Sequence, residues 1–351
     1  MKSRTLGLLA ATAAISALFV TASPAHAVDL FTLSDNIRST SGVWQGWQPP
    51  TQPPGNNNTS SHAILDVADN SNGSIHVDVT TTSGLWDNVR YSNGSWQGWE
   101  APPQPPTDSY QLAGAGLPDG AIEYFAVGEA TGDVYASTRN PNGVWTSWVQ
   151  QPITVPGGEL GGFTATADGN GNVQVMATAV GGAVYHTMQN SAGDWQSWQQ
   201  PTQVPSGAFA VTSAGLVNGS VQFMAIGLNN IIYLDIRYAN GTWQGWQETQ
   251  QPPAGWVTSA SPATFRLSTF SAAAEPDGDT QFLIVTNGDI VGPNESGFYH
   301  IVRNADGTWQ KGWGVIAPPY GLCVASMTIA TYASPVGGAS EVDADCWTDE
   351  N

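Results

Sequence analysis

Positive charge is scarce in this sequence. Nine lysines and arginines stand against 28 aspartates and glutamates, a formal net charge of −19 at neutral pH. Binding to nucleic acid or to an anionic membrane surface draws on clustered Lys and Arg, so both are excluded as partners. Cysteine is nearly absent: Cys323 and Cys346 are the only two. That rules out a cysteine-rich framework and leaves room for one disulfide in an oxidising compartment. No zinc-ligand spacing, phosphate loop, nucleotide fingerprint or calcium loop occurs, so neither a metal nor a cofactor is expected. Long apolar runs are missing as well, apart from "LGLLAATAAISALFV" at 6–20. It is too short to span a bilayer, follows Lys2 and Arg4, and precedes a small-residue "AHA" at 25–27. This pattern predicts a secretory leader over residues 1–27, cleaved after Ala27, and a secreted chain from Val28 with no membrane insertion.

What the sequence does hold is glycine (40), proline (23) and tryptophan (15), with charged residues at only 11%. That mixture favours strands and turns over helices. It is also periodic. The phrase "SGVWQGW" returns as "NGSWQGW", "NGVWTSW", "AGDWQSW", "NGTWQGW" and "DGTWQKGW". The leading tryptophans fall at 44, 96, 145, 195, 243 and 309, in steps of 52, 49, 50, 48 and 66 residues. Periods of this size mark repeated supersecondary units. Each period parses into four strand-like runs; between 208 and 246 these are "FAVTSAGL", "SVQFMAIG", "IIYLDIRY" and "TWQGW". Asn218-Gly219 and Asn240-Gly241 read as type I′ hairpin turns, with Asn229-Asn230 doing similar work between the middle strands.

Four hairpin-linked strands and a proline-rich connector make one blade of a β-propeller. The expectation is all-β: six four-stranded antiparallel blades in a single domain over residues 28–351. The chain starts in mid-blade, with third and fourth strands in "VDLFTLSDNIRSTSGVWQGW", and ends in mid-blade, with first and second strands around Gly337-Gly338. Pairing these two pieces closes the ring without an open sheet edge. Cys323 and Cys346 then fall at the outer ends of one hairpin, where a disulfide would staple it.

Two columns of residues stand out. Once the leader is gone, seven basic residues remain, and five of them (Arg38, Arg90, Arg139, Arg237 and Arg303) occupy one repeat position, the end of the third strand. An ion pair or stacking contact between neighbouring blades would account for that column, as would a ligand. The leading tryptophans read as wedges sealed between splaying blades. The second column is Trp47, Trp99, Trp148, Trp198, Trp246 and Trp313, each preceded by a Gly or Ser. An offset of three puts it on the opposite face of a regular strand. With a small neighbour, an indole there is either packed or left open for the apolar face of a sugar ring.

Blades of this period that end in [N/D]-G-x-W-x-x-W after an arginine resemble those of the PLL-like β-propeller lectins and, more distantly, tectonin and tachylectin propellers. The resemblance covers residues 28–351 and implies binding of fucose or related monosaccharides between consecutive blades, with the two columns as the sites. The PLL lectins have seven blades, one more than the count here. The reading is therefore a multivalent carbohydrate-binding protein with glycans as partners. Alternatives are a propeller glycosidase or lyase, and a protein-interaction propeller. An enzyme is the weaker reading, because the repeats are near-identical and His62, His76, His186 and His300 form no triad or metal grouping; these histidines read as surface strand residues.

Overall fold

The computed structural model describes residues 31–39, 41–54, 64–68, 72–81, 83–106, 110–128, 130–157, 160–253, 266–287, 297–317, 327–334 and 337–347. Every regular element among them is a strand, and the strands form six antiparallel sheets. In chain order the strands are β1 (Phe31–Arg38), β2 (Ile64–Ala68), β3 (Ile75–Thr81), β4 (Gly84–Arg90), β5 (Tyr110–Gly116), β6 (Ile122–Gly128) and β7 (Asp133–Arg139). There follow β8 (Val149–Thr154), β9 (Leu160–Ala167), β10 (Val173–Ala179), β11 (Val184–Gln189), β12 (Ala208–Gly215), β13 (Val221–Gly227) and β14 (Ile232–Arg237). The last are β15 (Gln247–Glu248), β16 (Arg266–Ala274), β17 (Thr280–Asn287), β18 (Gly297–Arg303), β19 (Gly314–Ile316), β20 (Met327–Ser334) and β21 (Gly337–Trp347).

Sheet I joins the two ends of the described chain in the order β20-β21-β1, with Phe31 opposite Trp347 and Arg38 opposite Ser340. Sheet II is β2-β3-β4, sheet III β5-β6-β7-β8, sheet IV β9-β10-β11, sheet V β12-β13-β14-β15 and sheet VI β16-β17-β18-β19. The first strands lie against one another in succession: β2 with β5, β5 with β9, β9 with β12, β12 with β16, β16 with β20, and β20 with β2. Apart from β2, these strands are rich in Ala, Gly, Ser and Thr, which suits their convergence. Thr164 and Ser213, on β9 and β12, share a hydroxyl hydrogen bond of 2.8 Å. A Cβ added at Gly215 would stand 1.9 Å from the Ala167 carbonyl oxygen.

The apolar core lies between sheets. Leu33 and Ala330 of sheet I meet Ile75, Val77 and Val79 of sheet II, with Trp96 and Trp99 packed on the same cluster. Burying each such Val, Ile or Leu contributes about 1.5–3 kcal/mol. The same arrangement recurs between sheets IV and V, where Met176 and Val184 meet Phe223, Ala225 and Tyr233 beside Trp243 and Trp246.

Two local expectations change. The Asn-Gly turns are not type I′, since Asn230 (φ 61°) is the sole described non-glycine residue with positive φ. Instead, Asn93 and Asn240 accept the backbone N–H two residues on, from Ser95 at 2.9 Å and Thr242 at 3.0 Å, and Gly94 and Gly241 alone turn left-handed. This is a type I turn closed by a glycine bulge, and the asparagine serves through its side chain, not its φ. The fourth strand is also less regular than expected. The leading Trp makes one isolated bridge to the arginine column, as in Arg237 with Trp243, and the ladder resumes only beyond the second Trp, where Leu234 faces Gln247.

Candidate functional site

The gap between consecutive sheets is where both columns converge. At Gly46, Gly98, Gly245 and Gly312, just before the second Trp, φ is 95°, 101°, 87° and 76°. That left-handed kink breaks the strand alternation, so the two tryptophans of a pair do not take opposite faces. Both pack on one cluster: Trp44 with Trp47 and Trp96 with Trp99. The glycine column is open, with no atom within 4 Å of a Cβ added at Gly46, Gly98, Gly245 or Gly312. The kink is held from the third strand, where Asn36, Asn88 and Asp235 accept the Gly46, Gly98 and Gly245 N–H groups at 3.0, 2.9 and 2.8 Å.

Three of the leading tryptophans meet rings of the preceding sheet. Trp195 stands edge-on to Phe125, Trp243 to His186 at 4.9 Å, and Trp44 to His300 at 5.5 Å. The second column is tethered. The indole N–H groups of Trp47, Trp99, Trp148, Trp246 and Trp313 donate to the carbonyls of Ala317, Thr51, Pro103, Thr202 and Gln250, at 2.6 to 2.8 Å. Each acceptor lies four residues after the preceding sheet's second Trp, so every indole staples its sheet to the connector before it. Trp198 is the exception. The connector before it forms β8, and its indole N–H has no acceptor among the described residues. Trp47, Trp99, Trp148 and Trp198 are half-buried, whereas Trp246 and Trp313 are 7% and 9% exposed.

Two of the arginines reach across the same gaps. Arg90 Nη1 lies 2.9 Å from Glu341 and its Nε 3.4 Å from Asp35, both in sheet I. Arg139 Nε is 3.3 Å from Asp87 in sheet II, and its Nη2 donates to Gln97 at 3.2 Å. Arg237 feels Asp168 of sheet IV, Arg38 feels Glu275 and Asp279 of sheet VI, and Arg303 feels Tyr238 of sheet V and its own turn's Asp306. Burial lowers the pKa of Arg38, Arg237 and Arg303, and the neighbouring acids oppose that shift. At the sixth position stands Gln189, near Glu123 of sheet III, a carboxyl whose pKa burial pushes up to about 7 against the lowering influence of the Gln189 amide.

The histidines are not on the surface. His76, His186 and His300 are 2%, 3% and 5% exposed. Their strands face another sheet on each side, which their own repeats could not reveal. His76 contacts Asp87 at 3.2 Å. His186 bonds Gln174 at 3.0 Å, and Gln174 in turn donates to Asp168 at 3.0 Å. His300, Gln281 and Glu275 repeat that chain in sheet VI. Burial, with some help from Arg237 and Arg38, drops the pKa of His186 and His300 to about 3, so both are neutral. Among the described residues no group of three His, Cys, Asp or Glu comes together to hold a metal, and no helix is long and apolar enough to cross a membrane. Cys323 lies outside the described residues, and with it the expected disulfide to Cys346, as does His62.

One recurrent device escaped the sequence reading. Gln52, Gln104, Gln203 and Gln251 each stand five residues after a second Trp and clamp the third strand with one amide. Gln104 Oε1 accepts from Leu85 N–H at 2.6 Å, while its Nε2 donates to Leu85 O at 3.1 Å. The other three do the same to Leu33, Val184 and Ile232. The adjoining prolines cannot donate to a ladder, and the glutamine amide stands in for a strand residue. Where Ile153 takes its place, the connector forms β8 and pairs directly with β7.

No protein-family model matches the sequence, and no curated protein matches it. Solved structures do match in shape. The chain is similar to AofleA from Arthrobotrys oligospora, at TM-score 0.55 and 11% identity over 89% of this chain and 82% of that one. It is similar to Aleuria aurantia lectin, described as a fungal lectin with a six-bladed β-propeller fold and a novel fucose recognition mode, at TM-score 0.53 and 16% identity over 83% and 96%. A variant of that lectin has been solved with α-methyl-L-fucoside. A Hadza microbial sialidase, Hz136, matches at TM-score 0.52 and 10% identity over 81% and 66%. At these identities the likeness is one of fold: an all-β, antiparallel architecture shared with β-propellers.

Proposed function

We propose that this protein is a secreted, multivalent carbohydrate-binding propeller that takes fucose or a similar monosaccharide in the gaps between consecutive blades. Its architecture on this reading is six blades, closed by β1 on β21 and allied to the PLL-like lectins in repeat design. The pairing of β1 with β21 and the succession of first-strand contacts that returns from β20 to β2 support that architecture. The observation that carries the function is the recurrence, at five of the six gaps, of an arginine bridged to the leading tryptophan of its own repeat, in a fold shared with fucose-binding lectins. Such a gap offers what a monosaccharide needs: charged donors for its hydroxyls, aromatic surface for its C–H face, and open space at the glycine before the second Trp.

The proposed sites are Arg38, Arg90, Arg139, Arg237 and Arg303 with Trp47, Trp99, Trp148, Trp198, Trp246 and Trp313. Repetition supplies avidity on a glycan-coated surface without tighter single contacts. Secretion rests on the leader over residues 1–27, and the extracellular setting would let Cys323 and Cys346 pair. Glycan-array binding of the chain from Val28 onward tests the function, and fucosylated glycans are expected to lead the signal. A flat array, with no monosaccharide altering tryptophan fluorescence, would remove the carbohydrate reading.

A further inference from the structure

The six gaps are not equivalent. Arg90 is spent on Glu341 and Asp35, and Arg139 on Asp87, acids that are 5% exposed or less. The third position in line is Gln189, turned to Glu123. These three gaps, I/II, II/III and III/IV, are consecutive; in the first two the arginine is committed to a carboxyl of the preceding sheet, and the third has no arginine. Arg38, Arg237 and Arg303 differ. Among the described residues none of them has a carboxylate oxygen within 4 Å or a side-chain hydrogen bond. Each guanidinium is partly buried and lies over its own turn, with Nη2 3.0, 3.6 and 3.2 Å from where a Cβ would sit on Gly42, Gly241 and Gly307, as Arg90 and Arg139 do over Gly94 and Gly143 at 3.6 Å. They head the other three gaps, VI/I, IV/V and V/VI, which are also consecutive.

A partly desolvated guanidinium with no protein acceptor is an unmet set of donors, and a ligand that supplies oxygens gains the full charge-assisted bond. A guanidinium already in a buried ion pair must break that pair first, leaving a buried acid exposed to the cost. We infer that saccharide binding is confined to the three consecutive gaps headed by Arg237, Arg303 and Arg38, and that the other three gaps serve structure alone. This rests on the carbohydrate reading above and goes beyond it by naming which gaps work and what they take. Each open arginine has acids nearby, Asp168, Asp306, or Glu275 and Asp279, in a chain of net charge −19. A carboxylated sugar is repelled there. A neutral sugar with adjacent hydroxyls suits it, because each hydroxyl accepts from the guanidinium and donates to a carboxylate.

Isothermal titration of the chain from Val28 onward with the methyl glycosides of L-fucose, D-galactose and D-mannose reads the number of sites directly. Three per chain are expected. R38A, R237A and R303A should each remove one site, and the triple variant should lose all binding. The stoichiometry of the unaltered protein stands as the independent reading, since it does not depend on any arginine variant keeping its fold. Affinity should change less than about twofold between low and high salt, as befits an uncharged ligand. A stoichiometry other than three, binding that survives in the triple variant, or preference for an anionic sugar would overturn the inference while leaving a lectin. Failure of every sugar to bind would instead remove the carbohydrate reading itself.

Discussion

At the scale of single residues, equal glycines carry unequal burdens. Gly98 has φ 101° with no atom within 4 Å of an added Cβ, whereas Gly215 has ordinary φ but a carbonyl oxygen 1.9 Å from that Cβ. In G98A the chain bears only backbone strain, of order 1–3 kcal/mol. In G215A two converging strands must part. Thermal unfolding should show G98A folded with a lowered midpoint and G215A far more damaged or unfolded; equal effects would contradict the packing described. Asp235 offers a second contrast. It is fully buried, and its carboxyl is pushed up to about 6 by burial, against hydrogen bonds from Gly245, Ile236 and Gln244 that pull it down. Asn36 and Asn88 do the same job without a charge. D235N keeps an acceptor for Gly245 and removes a carboxyl that resists ionising. Its gain over the parent should be absent near pH 3.5, grow through pH 6, and then level off in denaturant titrations. A loss of stability at pH 8 would show that the charge itself holds the kink.

At the scale of elements, the repeat period and the third strand were open to reading because both are local. The arginine that ends β4, β7, β14 and β18 sits where the pattern put it. The turns and the fourth strand were less legible. An Asn-Gly pair suits either a type I′ turn or a type I turn with a glycine bulge, and only the side-chain bond from Asn93 to the Ser95 N–H decides between them. A Trp-x-Gly-Trp segment reads as alternating until Gly98 is known to have positive φ. The glutamine clamp was visible as a letter, five places after the second Trp in four repeats. Its purpose was not, because it acts on a strand 19 residues earlier. Q104L tests the clamp. It leaves the Leu85 N–H and C=O without their partners, at about 1–3 kcal/mol for the pair. Urea midpoints should fall accordingly, while I153L, in the repeat whose connector already forms β8, should change little. Equal losses would mean that the amide is incidental.

At the scale of the whole molecule, the gaps between sheets decide what the single repeats could not. His186 looks like a surface residue on its own strand; it is buried because Phe223 and Trp243 of the next sheet close over it. Such burial makes stability depend on pH from two sides. His186 and His300 have folded pKa values near 3, below the ordinary 6.5. As pH falls through 6.5 the unfolded chain gains protons that the folded one refuses, so stability is lost between about pH 6.5 and 3. Each histidine contributes a slope of about 1.4 kcal/mol per pH unit. Glu123 and Asp235 act in the opposite sense, since their folded pKa values, near 7 and 6, lie above the ordinary carboxyl range. The folded chain keeps protons that the unfolded one releases, so stability is lost as pH rises from about 4 to 7. Burial pushes Asp35 and Glu275 the same way. The two trends oppose each other through the mildly acidic range, and only below about pH 4 do the histidines act alone. Unfolding free energy followed from pH 3 to 8 should therefore be greatest in mildly acidic solution, with the steeper fall on the acid side. H186L copies the residue at the matching place in sheet V, Leu234, and should halve the acid slope assigned to the two histidines. E123Q should flatten the decline between pH 6 and 7 and leave the acid limb alone. An acid limb unchanged in H186L would mean that the histidine is solvated, and that sheet V does not close over sheet IV as described.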